Sequence, residues 1–391
     1  MNSFVKSVKK FFTKSDIMLW LLTIVAIVYS IILIGSMQRS GDYNYLKSQI
    51  IAIVIGYVVA VALSFLDYEN IVNLWWLFGS IGIILLVIVL FVGINVSGTD
   101  DTAWISLPGG FSFQPSELVK LIFIITFTKH LQVLKSSEKL QSLWGVLSLI
   151  PHIMVPVLLV HMQGDDGTAL VFALMFIIMV FVAGVQLRYF LIMFLLLCTA
   201  IPIAWSYILN DDQKNRFLAI FDIDGNALTD YGWQQFQGKV SIASGGFNGY
   251  GIGNGTRVAS GIVPEQENDF IFTVAGEELG FIGCILLLLI LLLIMIKTLI
   301  NAHLAKDDTG KLLCVGVFSM IATQTIINIG MVLGLLPVVG ITLPFFSSGG
   351  SSILSVLIGI GLVQSVYVNK DNISQSGVLR NNKYKYSNNV Y

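Results

Sequence analysis

Four polar segments interrupt an otherwise apolar chain, and each carries residue types that could do chemistry. Ile262-Val-Pro-Glu-Gln-Glu-Asn-Asp-Phe270 brings three acids, Glu265, Glu267 and Asp269, together just ahead of a long apolar run. Asp269 is the last polar residue before that run. A carboxylate at such an edge is partly desolvated, which raises its pKa toward that of a useful base. The position also suits a plain helix N-cap, and spacing alone does not decide between the two. In Phe113-Gln-Pro-Ser-Glu-Leu-Val-Lys120, Pro115 suits a helix start and Gln114 or Ser116 could cap it. Glu117 and Lys120 are three apart, so they share a helix face and can pair. That pair is either structural or leaves Lys120 facing a cavity where it binds an anionic group. In Gln163-Gly-Asp-Asp-Gly-Thr168, Asp165 and Asp166 point in different directions; each suits the positive end of a following helix, and Thr168 could cap it. Gly340-Ile-Thr-Leu-Pro-Phe-Phe-Ser-Ser-Gly-Gly-Ser-Ser352 indicates a broken or tightly packed helix, or the lining of a ligand groove. Glu277 and Glu278 fall inside an apolar run and need a partner or a water-filled pocket.

The elements that must position these residues are membrane helices. Of 391 residues, 55% are hydrophobic and only 12% charged, against about a quarter charged in soluble domains. Such a chain cannot cover itself with a polar surface. Apolar runs long enough to span occur at about 17–37, 50–66, 71–94, 118–134, 143–162, 168–186, 189–208, 270–298, 312–336 and 344–368. The fold class expected is an all-α polytopic membrane protein, a bundle of about ten transmembrane helices with a large extracellular loop between helices seven and eight. The expected organisation is one integral membrane domain over 1–368, with its outer loop at 210–269. A cytoplasmic, disordered tail over 369–391 follows.

Charge sets the direction. With the N-terminus inside, fifteen of the 22 Lys and Arg fall on inner segments, starting with Lys6, Lys9, Lys10 and Lys14. Both termini are therefore expected in the cytoplasm. The first run is too long for the core of a cleavable signal peptide and lacks its small-residue site. The outer polar segments are then Ser97–Ser116, Met162–Thr168 and Asn210–Asp269, which puts Glu117, Asp165 and Asp269 on one face.

Other chemistries are excluded or weak. A net charge of −1 gives no footprint for nucleic acid. Cys198, Cys284 and Cys314 lie in apolar runs and read as small hydrophobes. The four histidines, His130, His152, His161 and His303, form no metal-binding pair. The glycines at 245, 246, 249, 251, 253 and 255 lack a following Gly-Lys-Ser/Thr, so they make no nucleotide loop. They read as a flexible or re-entrant segment, or as backbone lying close to a ligand. No organic cofactor is expected.

Together, in order and in a ten-span frame, these segments resemble the SEDS family (shape, elongation, division and sporulation) of bacterial cell-wall polymerases. The resemblance runs from about residue 17 to 368. It rests on Phe113–Lys120, Gly232-Trp-Gln-Gln-Phe-Gln237 with Ser244-Gly-Gly246, and Pro264-Glu265 with Asn268-Asp-Phe-Ile-Phe272. Gly276-Glu-Glu-Leu-Gly280 and the stretch from Asn328-Ile-Gly-Met331 through Gly334-Leu-Leu-Pro337 to Ser351 complete it. Three motifs depart from the family pattern. Ala103-Trp104 replaces an Arg-Trp pair, Gly164 and Asp166 replace the proline and leucine of the 163–168 turn, and Ser347-Ser-Gly-Gly350 replaces Ser-Tyr-Gly-Gly.

The resemblance implies a glycosyltransferase that polymerises lipid II, a disaccharide-peptide on undecaprenyl pyrophosphate, at the outer face. It implies that Asp269 is the essential aspartate, and that Glu117, Lys120 and Asp165 are family site residues. It also implies a class B penicillin-binding protein as partner, and the short N-terminus leans toward the branch that serves elongation. In such a reaction a hydroxyl attacks and a pyrophosphate leaves. Asp269 would be the base, and Glu117 would position Lys120. Lys120, Arg216, Arg257 or a divalent cation (Mg or Mn) would stabilise the leaving group, and Glu265 would contact substrate. The lipid tail would lie in a groove between helices. Two other classes fit the intramembrane charges: a flippase for the same lipid, and a non-catalytic scaffold. Neither an inverted repeat nor midplane acids favour the flippase.

Overall fold

Hydrocarbon offers the backbone no hydrogen bonds, so a spanning segment must satisfy its own, and a helix does. The computed structural model describes residues 14–37, 44–95, 101–107, 111–207, 209–221 and 232–371. Lys6, Lys9, Lys10, Arg39, parts of the 97–116 and 210–269 segments and the tail beyond 371 lie outside the described residues.

Helices α1 (Ile17–Met37) and α2 (Asn44–Phe65) come first. The run expected at 71–94 divides at Leu74 into α3 (Tyr68–Asn73), capped by Asp67, and α4 (Trp75–Val92). A short antiparallel hairpin, β1 (Ile105–Leu107) with β2 (Phe111–Phe113), leads into α5 (Pro115–Ser136). Then follow α6 (Leu143–His161), α7 (Asp166–Ala183) and α8 (Leu187–Tyr207). The long segment between α8 and the next span carries helices of its own: α9 (Asp211–Leu218), α10 (Trp233–Ser244) and α11 (Thr256–Ser260). The chain closes with α12 (Ile271–His303), α13 (Asp308–Val332) and α14 (Gly350–Val368).

Among the described residues, nine helices are long and apolar enough to cross a membrane. The run expected fourth, α5, is not one of them. Its 22 residues include Glu117, Lys120, Lys129 and Lys135, and it meets the environment by packing inside the bundle rather than against lipid. α4, α6, α7, α13 and α14 surround it. α13 and α14 are also mostly buried, whereas α8 buries none of its residues. Small residues let these helices approach closely. A Cβ on Gly361 would sit 2.7 Å from Ala60 Cα, and one on Gly316 would sit 2.5 Å from Ile124 Cγ2.

The first and last spans begin and finish at one end of the bundle. The Asp16 N–H donates to Gln364 Oε1 (2.9 Å) and Gln364 Nε2 donates back to the Asp16 carbonyl (2.8 Å). An even number of crossings requires this. The catalytic candidates gather at the opposite end.

Two spans are broken. In α12, Gly280 takes φ +67, ψ −160, which interrupts the helical ladder. The glycine-rich segment is neither loose nor a ligand cradle here. It supplies the missing bonds: Tyr250 N and Gly251 N donate to the carbonyls of Glu277 and Glu278, and Phe281 N donates to Gly246 O. Gly249 must be glycine, because its φ is +74 and a Cβ would lie 2.2 Å from Glu278 O. The second break lies between α13 and α14. The run expected to start at 344 turns helical only at Gly350, and 333–349 is an irregular segment, largely buried from 341 to 348. Ser30 Oγ and Gln49 Nε2, from α1 and α2, donate to the carbonyls of Phe346 and Ser347 and hold it from below. Irregular backbone at this depth survives because protein, not lipid, satisfies it.

Candidate active site

The site builds up from the irregular segment. Asn328, near the end of α13, donates through Nδ2 to the carbonyls of Asp269 (2.8 Å) and Ile341 (2.6 Å). Ser347 Oγ donates to the Asn268 carbonyl at 2.6 Å, and Ser348 N donates to the Glu267 carbonyl at 2.7 Å. Four backbone and side-chain bonds therefore fix residues 267–269 against 341–348. Gly340, at φ +67, leaves room beside the carboxylate: a Cβ there would be 3.6 Å from Asp269 Oδ2.

Asp269 is not a helix cap. The N-cap of α12 is Phe270, with no side-chain cap hydrogen bond. The Asp269 carboxylate is half-buried, and burial pushes its pKa up from 3.8 to about 7. The negative charges of Glu265, Asp165, Asp101 and Glu267 add to that rise, in that order. A carboxyl group that titrates near neutral pH, with its oxygens not spent on the helix behind it, is poised to accept a proton.

Asp165 does cap. It is the N-cap of α7, accepting from Thr168 N at 2.9 Å, so the cap is the aspartate and not Thr168. Its other oxygen accepts from Gln114 Nε2 at 2.8 Å, and Gln114 N donates in turn to Ser351 Oγ. Burial raises the Asp165 pKa, against the lowering effects of Thr168 and the Lys120 ammonium. Beneath it, Lys120 Nζ and Glu117 Oε1 are 2.7 Å apart, with Lys120 fully buried and Glu117 nearly so. Ser355 Oγ donates to the second Glu117 oxygen. The expected pair has formed, at i and i+3 on α5.

Other candidates stand further out. Glu265 has φ +52 and accepts from Asn268 Nδ2 at 2.7 Å; burial and Glu267 raise its pKa. Arg216 is exposed on α9. Arg257 is engaged elsewhere: its guanidinium donates to Ser241 Oγ and to the Gln237 side chain of α10. The backbone N–H groups of Arg257 and Val258 donate to the two oxygens of Glu277, the partner that this intramembrane acid needs. The structure thus brings Glu117, Lys120, Asp165, Glu265 and Asp269 into one electrostatic neighbourhood and ties Arg257 to the support of α10 and α12.

Asn328, Ser347 and Asp101 are the contributors that residue spacing did not single out as site groups. Asn328 carried a signal, an amide at the end of an apolar span. A group of three or more His, Cys, Asp or Glu able to hold a metal ion is absent among the described residues.

The chain and its fold match known proteins. A family model described as "Cell cycle protein", covering FtsW, RodA and SpoVE, matches residues 13–372. The chain belongs to this family. The peptidoglycan glycosyltransferase MrdB of Escherichia coli is 32% identical over 359 residues, 91% of this chain and 94% of that one. A probable peptidoglycan glycosyltransferase FtsW of Geobacter sulfurreducens is 32% identical over 348 residues, 88% of this chain and 90% of the relative. Among solved structures, one described as "Structural coordination of polymerization and crosslinking by a peptidoglycan synthase complex" superposes with a TM-score of 0.76 at 27% identity. It covers 92% of this chain and 99% of that one. Thermus thermophilus rod shape determining protein RodA follows at 0.67 and 26%, covering 92% of this chain and 98% of its own. In the family frame, Ala103 lies where the resemblance expects an arginine. It is buried beside Thr102, whose N–H donates to the Gln163 carbonyl, so this position packs the site end without offering a charge.

Proposed function

We propose that Asp269 is the general base of a glycan-polymerising reaction on lipid II at the outer face of the membrane. The chain is a peptidoglycan glycosyltransferase of the SEDS type, as its relatives MrdB and FtsW are named. The observation that carries the catalytic assignment is the Asp269 carboxyl group: not a cap, fixed through its own backbone, and pushed up to about 7.

The acceptor hydroxyl oxygen attacks the anomeric carbon of the donor sugar. Its proton passes to Asp269. The bond from that carbon to the pyrophosphate oxygen breaks, and undecaprenyl pyrophosphate leaves with the electron pair. A single displacement inverts an α-linked donor to a β-linked product. A pyrophosphate leaves as an anion without being protonated, so positive charge rather than an acid assists it. Lys120 supplies that charge from below, held in place by Glu117, and Arg216 supplies it from α9. Asp165 and Glu265 contact the substrate's polar groups. A Mg or Mn ion carried in on the pyrophosphate would share the neutralisation.

The isoprenoid needs an apolar path. A groove of about 390 Å³ opens between α4, α5 and α6, lined by Trp75, Trp76, Gly79, Ile83, Ile122 and Val155. We assign it the tail. The charge count supports an orientation with both termini in the cytoplasm. The described N-terminal and C-terminal ends share one end of the bundle, which fits that reading. A class B penicillin-binding protein is the proposed partner, and elongation the proposed role.

Labelled lipid II given to the purified chain with its partner separates the readings. Polymer from wild type and none from Asp269→Ala is the expected outcome. Movement of lipid II between leaflets without polymer would make the chain a flippase, and neither activity would make it a scaffold.

A further inference from the structure

Asp166 is left over once Asp165 is assigned as the cap of α7. Its two oxygens are both taken from outside that helix. Oδ1 lies 2.5 Å from His161 Nδ1, and Oδ2 accepts from Gln213 Nε2 at 2.6 Å. Gln213 is the third residue of α9 and belongs to a capping box. Its Oε1 accepts from Asn210 N, and its own N–H donates to Asn210 Oδ1. The amide is therefore oriented by its surroundings, oxygen toward the cap and nitrogen toward Asp166. Among the described residues, no other side-chain hydrogen bond or ion pair ties α9 to the bundle. α8 buries no residue, and the link from α8 to α9 is the edge-on pair Trp205–Phe217, with ring centroids 6.4 Å apart. Arg216 is three residues beyond Gln213, on the same helix face.

We propose that Asp166 is a positioning residue: clasped by His161 and Gln213, it fastens α9 to the α6–α7 turn and so holds Arg216 beside the Asp165 end of the site, where the donor pyrophosphate leaves. The inference rests on the polymerase reading above. The clasp is a charge-assisted hydrogen bond, the strong kind, and it sits one residue from Asp165. A mobile arginine would lose the entropy of ordering on each binding event; a fastened one would not.

Gln213→Glu tests this. Glutamate keeps the capping box, which accepts Glu as readily as Gln, but sets a carboxylate against Asp166. Asp166→Asn leaves one amide oxygen where two carboxylate oxygens are used, so His161 and Gln213 can no longer both donate to it. The double variant restores one donor and one acceptor with the polarity reversed. Two quantities are read for each: hydrogen exchange of the 209–221 peptide, and KM and kcat for polymerisation of labelled lipid II.

Each single variant should speed exchange and raise KM about tenfold, with a smaller change in kcat. The double variant should return both toward wild type. Arg216→Gln should raise KM without speeding exchange, and should add little to Gln213→Glu. Faster exchange with unchanged KM would overturn the proposal, because the clasp would then not serve binding. A double variant as impaired as the singles would overturn it as well. Wild-type chain that makes no polymer would instead overturn the polymerase reading, and the clasp's catalytic role with it.

Discussion

Replacing Asp269 with asparagine should stabilise the protein above neutral pH while removing its activity. The folded chain raises this carboxyl group from 3.8 to about 7. Between about pH 4 and 7 the folded state therefore holds a proton that the unfolded state has released. Stability from this group is fully present below pH 4, declines as pH rises through that window, and stays low above it. At about 1.36 kcal/mol per pH unit the difference sets a ceiling of about 4 kcal/mol. Partial exposure of the carboxylate screens it, so about 1–3 kcal/mol is expected at pH 8. Asn has nearly the same shape and carries no charge. The assay is thermal unfolding of both proteins in the same detergent or nanodisc at pH 5 and pH 8. The asparagine variant should unfold later at pH 8, and its lead should shrink by more than half at pH 5. A variant equally stable or less stable at pH 8 would refute the desolvation argument, and with it the reason Asp269 serves as base.

The same electrostatics shape the rate. Polymerisation should fall below neutral pH with a midpoint near 7, as Asp269 takes up its proton, and a profile flat from pH 5.5 to 8 would contradict the assignment. Lys120→Met or Glu117→Gln alone leaves a buried charge unpaired and should cost about 3–5 kcal/mol, measured by thermal unfolding. The double variant should recover much of that stability but no polymerisation, which separates the fold's use of the pair from the reaction's. Gly249→Ala must place a Cβ 2.2 Å from the Glu278 carbonyl oxygen at positive φ. It should cost well over the ~1–3 kcal/mol of backbone strain alone and detach the glycine segment from the α12 break, seen as faster exchange at 245–255.

The frame of the fold was legible because its signal is coarse. Nine described helices are long and apolar enough to span, and the run expected fourth, α5, is the charged one. Why that run differs was not legible. Spacing left Lys120 either in a structural pair or facing a cavity, and its full burial follows only from α4, α7, α13 and α14 packing around α5. The 340–352 segment did read as a broken or tightly packed helix; the break at Gly280 escaped, because apolar composition continues through it and only tertiary partners tell a span from a segment that protein satisfies. The long loop read as structureless because α9 and α11 are too short for periodicity to speak.

At the site, Glu117–Lys120 followed from i, i+3 spacing, and the raised pKa of Asp269 followed from its place at an apolar edge. What spacing left open was whether Asp269 caps a helix, because a cap and a base share the same address in sequence. The Phe270 cap position decided it. Arg257 misled for the opposite reason. A basic residue in a polar loop looks available, and only the Ser241 and Gln237 contacts show that it is engaged.

The most direct test of the account is polymerisation of labelled lipid II by the purified chain with its partner, wild type against Asp269→Asn, at matched folded concentration near pH 8. The account predicts long glycan strands from wild type and none from a variant that is at least as stable. Strands of normal length made at a normal rate by the variant would contradict it.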